Sequence, residues 1–382
     1  MIKVVHFGHV PLPAEHPEAS RIKAIPGNWV WNLAAAQQRT GEMDPVIVSP
    51  VTGASSEYEA ELGRIRVCFV PVPARWRTPT FFRIERQRLV RRALACRPDV
   101  VHGHGTEAAN SLAAQDCGRP CVLTAQGLWI MQMPVLKLPL FSSRRLVAWM
   151  EQRTLWRARH VIAVSENVSE ALHRAFPRLI LHRIPLTFDP ALLKISEVRE
   201  PCSLVYVGSI HPVKGLDLLA AALPRIRENF PELSVRVVGN ASQPSEYESG
   251  VLSEMRRHLG DRLVLHGVVP ALEAARWMAR ATALVAPSRS EMFGNQLIES
   301  LLVGTHVLAS ENTALAENIR RFGNGTLFRW NDATDLAEKA VAVLQRTEGP
   351  EPSSAREKVC RALDPERVAR AHLEVYRQVL RG

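Results

Sequence analysis

Ser288-Arg289-Ser290-Glu291-Met292-Phe293-Gly294-Asn295-Gln296-Leu297-Ile298-Glu299 sets two carboxylates eight positions apart around a Phe-Gly step. The residues before it, Ala283-Leu284-Val285-Ala286-Pro287, form a short apolar run of the kind a buried strand shows. Leu297, Ile298, Leu301 and Leu302 are spaced as one face of a helix. Strand, short loop, helix start is where an open α/β sheet holds phosphorylated ligands, beyond the carboxyl ends of its strands. The unpaired N–H groups at such a helix start, here near Gly294 and Asn295, can receive a phosphate. Glu291 falls in the loop and Glu299 in the first turns of the helix, so two carboxylates flank that point. They can take hydrogen bonds from the vicinal hydroxyls of a ribose and a sugar. The stretch points to a nucleotide-sugar site.

The chain's 382 residues suit two domains, and 46% hydrophobic with 23% charged residues fit a soluble globular protein. No apolar run is long enough for a spanning helix, which needs roughly 18 residues or more. Met1 to Gly8 reads as a first strand and its loop, not as a signal peptide, so a cytoplasmic location is expected. The six cysteines (Cys68, Cys96, Cys117, Cys121, Cys202, Cys360) are scattered. No second pair or histidine cluster accompanies Cys117 and Cys121, so buried thiols and no metal site are expected.

Charge is concentrated in the first half. Residues 1–190 carry 24 Lys+Arg against 15 Asp+Glu, and residues 191–382 carry 24 against 23, which together make the net +10. Ten arginines fall between Arg64 and Arg97, with Glu85 alone opposing them in that stretch. Two readings stay open. One is a solvated helix face. The other is a docking surface for an anionic membrane at its inner face, since Phe81-Phe82-Arg83-Ile84-Glu85-Arg86-Gln87-Arg88-Leu89-Val90-Arg91-Arg92 mixes bulky apolar residues with arginine, as interfacial helices do. No nucleic-acid partner is expected, because no base-stacking or zinc module supports one.

Outward from the opening stretch, strand and helix signals alternate. Ile2–Phe7 reads as a strand, Gly27-Asn28 opens a helix through Arg39, and Pro45–Ser49 and Ile65–Val70 are further strands. Asp99-Val100-Val101-His102, Pro120–Thr124 and His160–Ser165 are short apolar runs of the parallel kind, and Ser165 can cap the helix after it. A second series starts at Ser203–Gly208, with a helix over 216–229 and strands at Leu233–Val238, Leu263–Gly267, Ala283–Pro287 and Thr305–Ser310. Alternation of this kind implies right-handed crossovers and parallel sheets. The seam lies around Asp189–Pro201. The expected domains are 1–190 and 191–364, with a helix over 365–382 packing back on the first. Glu348–Ser354 reads as a polar loop.

The second half resembles the retaining nucleotide-sugar glycosyltransferases of the GT-B fold, glycosyltransferase family 4. The resemblance rests on Val207-Gly208-Ser209-Ile210-His211-Pro212-Val213-Lys214-Gly215, then Ala286 to Glu299, then Gly304-Thr305-His306-Val307-Leu308-Ala309-Ser310 and Glu317. It covers most of residues 200–345, and Asp99 to His104 with Val164-Ser165-Glu166 resemble the acceptor domain more loosely. It implies two Rossmann-like domains facing across a cleft, an N-terminal one for the acceptor and a C-terminal one for the donor. The donor is a nucleoside-diphosphate sugar, with UDP or GDP expected, and neither a cofactor nor a metal is implied. By the same resemblance Lys214 contacts the donor phosphates, Glu299 holds the ribose hydroxyls and Glu291 the transferred sugar. The N–H groups of Phe293, Gly294 and Asn295 lie near the sugar and diphosphate. Gly208 and Ser209 belong to the donor loop. Gly8, after the first strand, either permits close approach of backbone to ligand or serves as a turn residue. Lys214 and Glu291 are the residues expected to carry catalysis, and His104 and Gln126 are the acceptor-side candidates.

Three departures from the family pattern stand out. Ser209 occupies a position where the family often has Arg, which removes one phosphate-binding charge. Thr124-Ala125-Gln126-Gly127 stands where many members have His-Gly, and glutamine hydrogen-bonds a sugar but does not relay a proton. Pro185-Leu186-Thr187-Phe188-Asp189 stands where Asn-Gly-x-Asp is common. The expected function is retaining transfer of a sugar to an acceptor hydroxyl on a glycan or lipid-linked acceptor, in cell-envelope, exopolysaccharide or glycolipid synthesis. A nucleotide-sugar epimerase or phosphorylase on the same fold, or a non-catalytic glycan-binding protein, remains as an alternative.

Overall fold

The apolar runs build two separate sheets, each within its own compact unit. In the computed structural model every residue is described except 14, 17, 19–28, 76, 137, 138, 140, 141, 241–244, 312 and 347–351. One unit is Met1–Thr187 with Leu363–Gly382, and the other is Phe188–Ala362.

The first unit runs β1 (Ile2–Phe7), α1 (Trp29–Arg39), β2 (Met43–Thr52), β3 (Tyr58–Leu62), β4 (Ile65–Val72), α2 (Arg83–Ala95), β5 (Val100–His104) and α3 (Ala109–Asp116). It continues with β6 (Cys121–Ala125), α4 (Trp129–Leu136), α5 (Ser143–Arg157), β7 (His160–Ala163), α6 (Glu166–Ala175) and β8 (Ile180–Arg183). Its described strands lie in the order β3-β4-β2-β1-β5-β6-β7-β8. Central strands are buried on both faces, as a parallel sheet covered by helices requires; Val4, Val5, Val100 and Val101 are sealed from solvent. Ser165 caps α6, its hydroxyl accepting the Val168 N–H at 3.2 Å.

The second unit runs β9 (Ser203–Val207), α7 (Leu216–Asn229), β10 (Ser234–Val238), α8 (Glu246–Leu259), β11 (Leu263–Gly267), α9 (Ala271–Arg280), β12 (Ala283–Ala286) and α10 (Asn295–Leu302). It ends with β13 (His306–Ser310), α11 (Ala314–Phe322), β14 (Gly325–Phe328), α12 (Ala333–Leu344) and α13 (Pro352–Ala362). The strand order is β11-β10-β9-β12-β13-β14, all parallel. The chain then returns to the first unit as α14 (Pro365–Arg381), which packs on α1.

Each sheet grows outward from its first strand, then reverses. In the first, β2 and β5 flank β1; in the second, β10 and β12 flank β9. Crossovers leave the sheet on opposite faces at these two points, which opens a crevice at the carboxyl ends of β1 and β5 and another at those of β9 and β12.

The fold corrects several expectations. Strands β3, β8 and β14 were not singled out from sequence, and β3 runs antiparallel to β4. All three are edge strands, partly exposed, so they lack the apolar run that marks a buried parallel strand. Gly27-Asn28 and residues 348–351 of the expected polar loop lie outside the described residues; Pro352–Ser354 open α13 instead of continuing a loop. Phe81 and Phe82 do not belong to α2, since both have left-handed φ (52° and 54°) and the helix starts at Arg83. The arginines there are less bare than the local sequence suggests. Arg77 pairs with Glu85, Arg86 with Asp116, Arg91 with Glu57, and Arg66 and Arg92 with Glu59. Three of those four acids come from outside the arginine-rich stretch, where a local count cannot see them.

Candidate functional site

The residues expected to bind the donor converge at the β9/β12 crevice, except Gly8. Gly208 and Ser209 follow β9, and the Gly208 N–H donates to the Val238 carbonyl at 3.0 Å. Pro212–Lys214 form one turn of 3-10 helix, ended by Gly215 in the left-handed region (φ 69°). A Cβ on Gly215 would overlap the carbonyl oxygen of Pro287, so the loops after β9 and β12 touch backbone to backbone there. This contact brings the Lys214 Nζ to 2.6 Å from Glu291 Oε2.

Glu291 is 12% exposed and well supplied with donors. The Gln296 amide donates to its Oε2 at 3.2 Å, and the Met292 N–H to its Oε1 at 3.3 Å. Burial opposes ionisation, but the Lys214 charge and these hydrogen bonds outweigh it and hold the carboxyl below the ordinary range. The ammonium has three donors, so it can keep Glu291 and still reach a phosphate oxygen.

Glu299 is the opposite case. It lies on α10, and among the described residues nothing donates a hydrogen bond to its carboxylate. Burial, with the nearby Asp189 charge, pushes it up to about 7. A half-buried carboxylate without protein donors is well made for a ligand that brings its own hydroxyls. Gly294 caps α10 in the left-handed region (φ 86°), and a side chain there would collide with Leu315 of α11. The Phe293 ring is buried, and its carbonyl accepts the Asn318 amide at 2.6 Å. The turn is therefore fixed, with the first N–H groups of α10 pointing away from the helix.

Sequence reading missed the strut behind this turn. Arg289 donates to both oxygens of Asp217 at 2.8 and 2.6 Å, and also to the Pro212 carbonyl at 2.8 Å. Tyr247 donates to Asp217 at 2.6 Å. The planar guanidinium thus ties the loop after β12 to the Lys214 turn and to the first turn of α7. Arg289 sits inside the opening stretch, but its partner is 72 residues away, and no local spacing reveals that. Ser209 is exposed, and Arg289 is committed to Asp217, so it does not replace the charge missing at Ser209.

Gly8 lies in the other unit, after β1. It is buried, and a Cβ there would come within 2.6 Å of Val30 Cγ2, so close packing against α1 already requires glycine. His104 and Gln126 end β5 and follow β6, neighbouring strands. The Gln126 amide lies 3.4 Å from His104 Nδ1. Behind His104 runs a buried chain of polar groups. His104 Nε2 is 3.0 Å from His6 Nδ1, and His6 Nε2 is 2.7 Å from Gln37 Oε1. The Gln37 amide donates to the Tyr376 hydroxyl at 3.0 Å, which lies 2.7 Å from His102 Nδ1; His102 Nε2 is 2.6 Å from the Thr124 hydroxyl.

One proton order, assigned from these partners, satisfies every link. The Gln37 oxygen takes the His6 Nε2 proton, His6 Nδ1 takes the His104 Nε2 proton, and His104 Nδ1 is left as an acceptor facing Gln126. All three imidazoles are then neutral. Burial agrees: it lowers His6 to about 3 and also lowers His102 and His104, helped by their neighbouring rings. His6, His102 and His104 stand close enough to share a metal ion. Each ring nitrogen already has a protein partner, so the set forms a hydrogen-bonded network that fixes the His104 ring.

Two family models match the chain in succession. One described as a glycosyl transferase 4-like domain matches residues 26–187, and one described as glycosyl transferases group 1 matches residues 201–346. D-inositol 3-phosphate glycosyltransferase 1 of Catenulispora acidiphila is 26% identical over 270 residues, 64% of this chain and 64% of that protein's length. Glycogen synthase of Mycobacterium tuberculosis is 24% identical over 321 residues, 75% of this chain and 70% of that protein. Among solved structures, sucrose-phosphate synthase from Thermosynechococcus elongatus superimposes with a TM-score of 0.78 at 19% identity, covering 99% of both chains. HepE of Anabaena, solved with UDP and glucose, superimposes with a TM-score of 0.74 at 17% identity, covering 99% of this chain and 100% of that one.

Proposed function

From the premise that this chain belongs to the glycosyltransferases of family 4, with the GT-B fold, we propose that it transfers a sugar from a nucleoside-diphosphate sugar to an acceptor hydroxyl with retention at the anomeric carbon. The observation that carries the reading is the Lys214–Glu291 pair at 2.6 Å, set beside the α10 N-terminus at the point where the strand order reverses. Cleaving a glycosyl phosphate builds negative charge on the leaving diphosphate. Lys214 and the first N–H groups of α10 meet that charge, while Glu291 takes hydroxyls of the sugar and Glu299 those of the ribose. The departing phosphate takes the proton of the acceptor hydroxyl on the same face of the sugar, so no enzyme nucleophile is required. With Lys214 and the amides supplying positive charge, the reading calls for no metal cofactor.

Unit 1 binds the acceptor in this reading, through His104 and Gln126. UDP is the favoured nucleotide, supported by structural relatives solved with UDP, with UDP-glucose or with its fluoro analogue. The acceptor is a glycan or lipid-linked sugar of envelope or exopolysaccharide synthesis, favoured by the positive first half and by exposed Phe81, Ile84, Trp149 and Trp156. No described helix is long and apolar enough to cross a membrane, so contact with lipid would be peripheral.

The test is a thermal-shift screen with UDP, GDP, ADP, CDP and dTDP and their sugars, on the wild type and Glu299→Ala. A ligand at 100 times its Kd stabilises by about 2.7 kcal/mol. A shift with one nucleotide that disappears in Glu299→Ala supports the donor site. No shift with any nucleotide would sink the transferase reading.

A further inference from the structure

Two carboxylates that the donor chemistry does not use lie together at the carboxyl ends of β5 and β6. Glu107 is in the loop after β5. Its carboxylate rests against Gly105 and Gly127, where added methyl groups would stand 3.1 and 3.6 Å from its oxygens. Its Oε2 is buried and has no hydrogen-bond partner. Glu151, fully buried on α5, approaches from behind. Its Oε2 accepts the Trp129 N–H at 2.7 Å, and its Oε1 lies 2.9 Å from the Thr106 hydroxyl.

The Thr106 hydroxyl has two oxygen neighbours for its one proton. It is also 3.0 Å from the Gly127 carbonyl oxygen. A hydroxyl has one hydrogen, and a carbonyl oxygen can only accept. With Glu151 protonated, Thr106 donates to Gly127 and accepts from Glu151, and both contacts are satisfied; with Glu151 ionised, Thr106 donates to Glu151 and the Gly127 carbonyl goes without. A neutral Glu151 ties the loops after β5 and β6 to α5. It also spares half-buried Glu107 a second negative charge beside it. The environment favours the protonated form: burial, then the Glu107 charge, push Glu151 up to about 8, against the hydrogen bonds that Thr106, Trp129 and Ile130 donate to its charged form. Burial also raises Glu107, but backbone N–H groups of Glu107 and Thr106 favour its charged form.

We propose that Glu107 is an acceptor-binding residue, taking a hydrogen bond from a hydroxyl of the sugar acceptor at its bare oxygen, and that Glu151 is the residue that positions it. This rests on the reading of unit 1 as the acceptor-binding half. Glu107 and the Gln126–His104 pair all lie where β5 and β6 end, and a polyol brings the donors that the bare Glu107 oxygen and the glutamine can take up. Glu107 is half-buried while its bare oxygen is covered, so binding requires a change of side-chain rotamer to turn that oxygen towards the ligand.

The pair makes a pH-dependent prediction. Among the described residues Glu107 is the charged group that acts on Glu151; α4 gives it the N–H groups of Trp129 and Ile130, and the β5 loop gives it the Thr106 hydroxyl. Below about 8 Glu151 is neutral and the clamp holds. Above that it ionises, Thr106 turns to it, the Gly127 carbonyl loses its donor, and the two carboxylates repel.

The experiment uses the full chain, with octyl glucoside, octyl galactoside and octyl mannoside as acceptors. Glu107→Gln is expected to raise the acceptor KM about tenfold or more, as loss of a charged hydrogen-bond acceptor does, with donor binding and donor hydrolysis unchanged. Glu151→Gln mimics the neutral acid. It is expected to keep activity at pH 7 and abolish the rise in acceptor KM that the wild type shows above about pH 8. Infrared difference spectra at pH 7, wild type minus variant, are expected to show a buried protonated carboxyl band for Glu151→Gln and none for Glu107→Gln, with the Glu299 contribution cancelling in both. An unchanged acceptor KM in Glu107→Gln overturns the proposal, as does a difference band for Glu107→Gln instead. Failure of the wild type to bind any nucleotide sugar would instead strike the transferase reading, which the donor arm detects separately.

Discussion

Glu291 and Glu299 are the same residue type on one short stretch, yet their surroundings drive them apart. The Lys214 charge and the hydrogen bonds to Glu291 hold its carboxyl below the ordinary range, whereas burial and Asp189 push Glu299 up to about 7. The consequence for Glu299 has a definite sign. Hydroxyls that donate to a carboxylate favour its charged form, so nucleotide binding lowers its pKa. Affinity is then highest above pH 7 and weakens as pH falls below it. In the protein without nucleotide the raised carboxyl has the reverse effect on stability: folding takes up its proton between about 4.5 and 7, so this group costs stability as pH rises through that window. Glu299→Gln is therefore expected to raise the Tm of the ligand-free protein at pH 8, to weaken UDP binding, and to flatten its dependence on pH between 6 and 8. Calorimetric titration with UDP at three pH values checks all three points with parallel melts. A variant that binds as the wild type does across that range would remove Glu299 from the site.

At the scale of elements, the crevice depends on how closely two loops approach. Gly215 ends the Lys214 turn with φ 69°, against the Pro287 carbonyl. Gly215→Ala introduces both a left-handed non-glycine residue and an overlap with backbone, which cannot move as a side chain can. The expected cost is about 2 kcal/mol or more, read as a lower Tm. Lys214 and Glu291 should also separate, so nucleotide binding should fall by more than the loss of stability explains. The order of these loops was legible in the sequence. Apolar runs marked the central strands, and the Glu291–Glu299 spacing placed one carboxylate on the loop and the other on α10. What escaped was whatever depends on distant partners. Arg289 meets Asp217 across 72 residues, His6 joins His104 across 98, and Glu151 reaches Thr106 across 45. Edge strands β3, β8 and β14 escaped because exposure dilutes the apolar pattern that betrays a buried strand.

For the whole molecule, chain order and structural order differ. The last helix, α14, follows unit 2 in sequence but completes the core of unit 1. Val368, Leu373, Val375 and Val379 are buried there with Val4, Leu33, Met43, Val100, Val122 and Ile162. At about 1.5–3 kcal/mol for each such side chain, the four contribute roughly 6–12 kcal/mol, comparable with the entire stability of a typical domain. Tyr376 adds the hydroxyl that joins Gln37 to His102, so the same helix sustains the hydrogen-bonded network behind His104. Removing residues 363–382 is therefore expected to unfold unit 1 while leaving unit 2 folded. Hydrogen exchange should show β1, β5 and β6 losing protection while β9, β12 and α10 keep theirs. The nucleotide shift in thermal stability should persist, because every donor-side residue of the crevice belongs to residues 188–362, whereas transfer to an acceptor should vanish. Equal loss of protection in both sheets would mean instead that the two units fold as one cooperative body, and that α14 supports the donor half as much as the acceptor half.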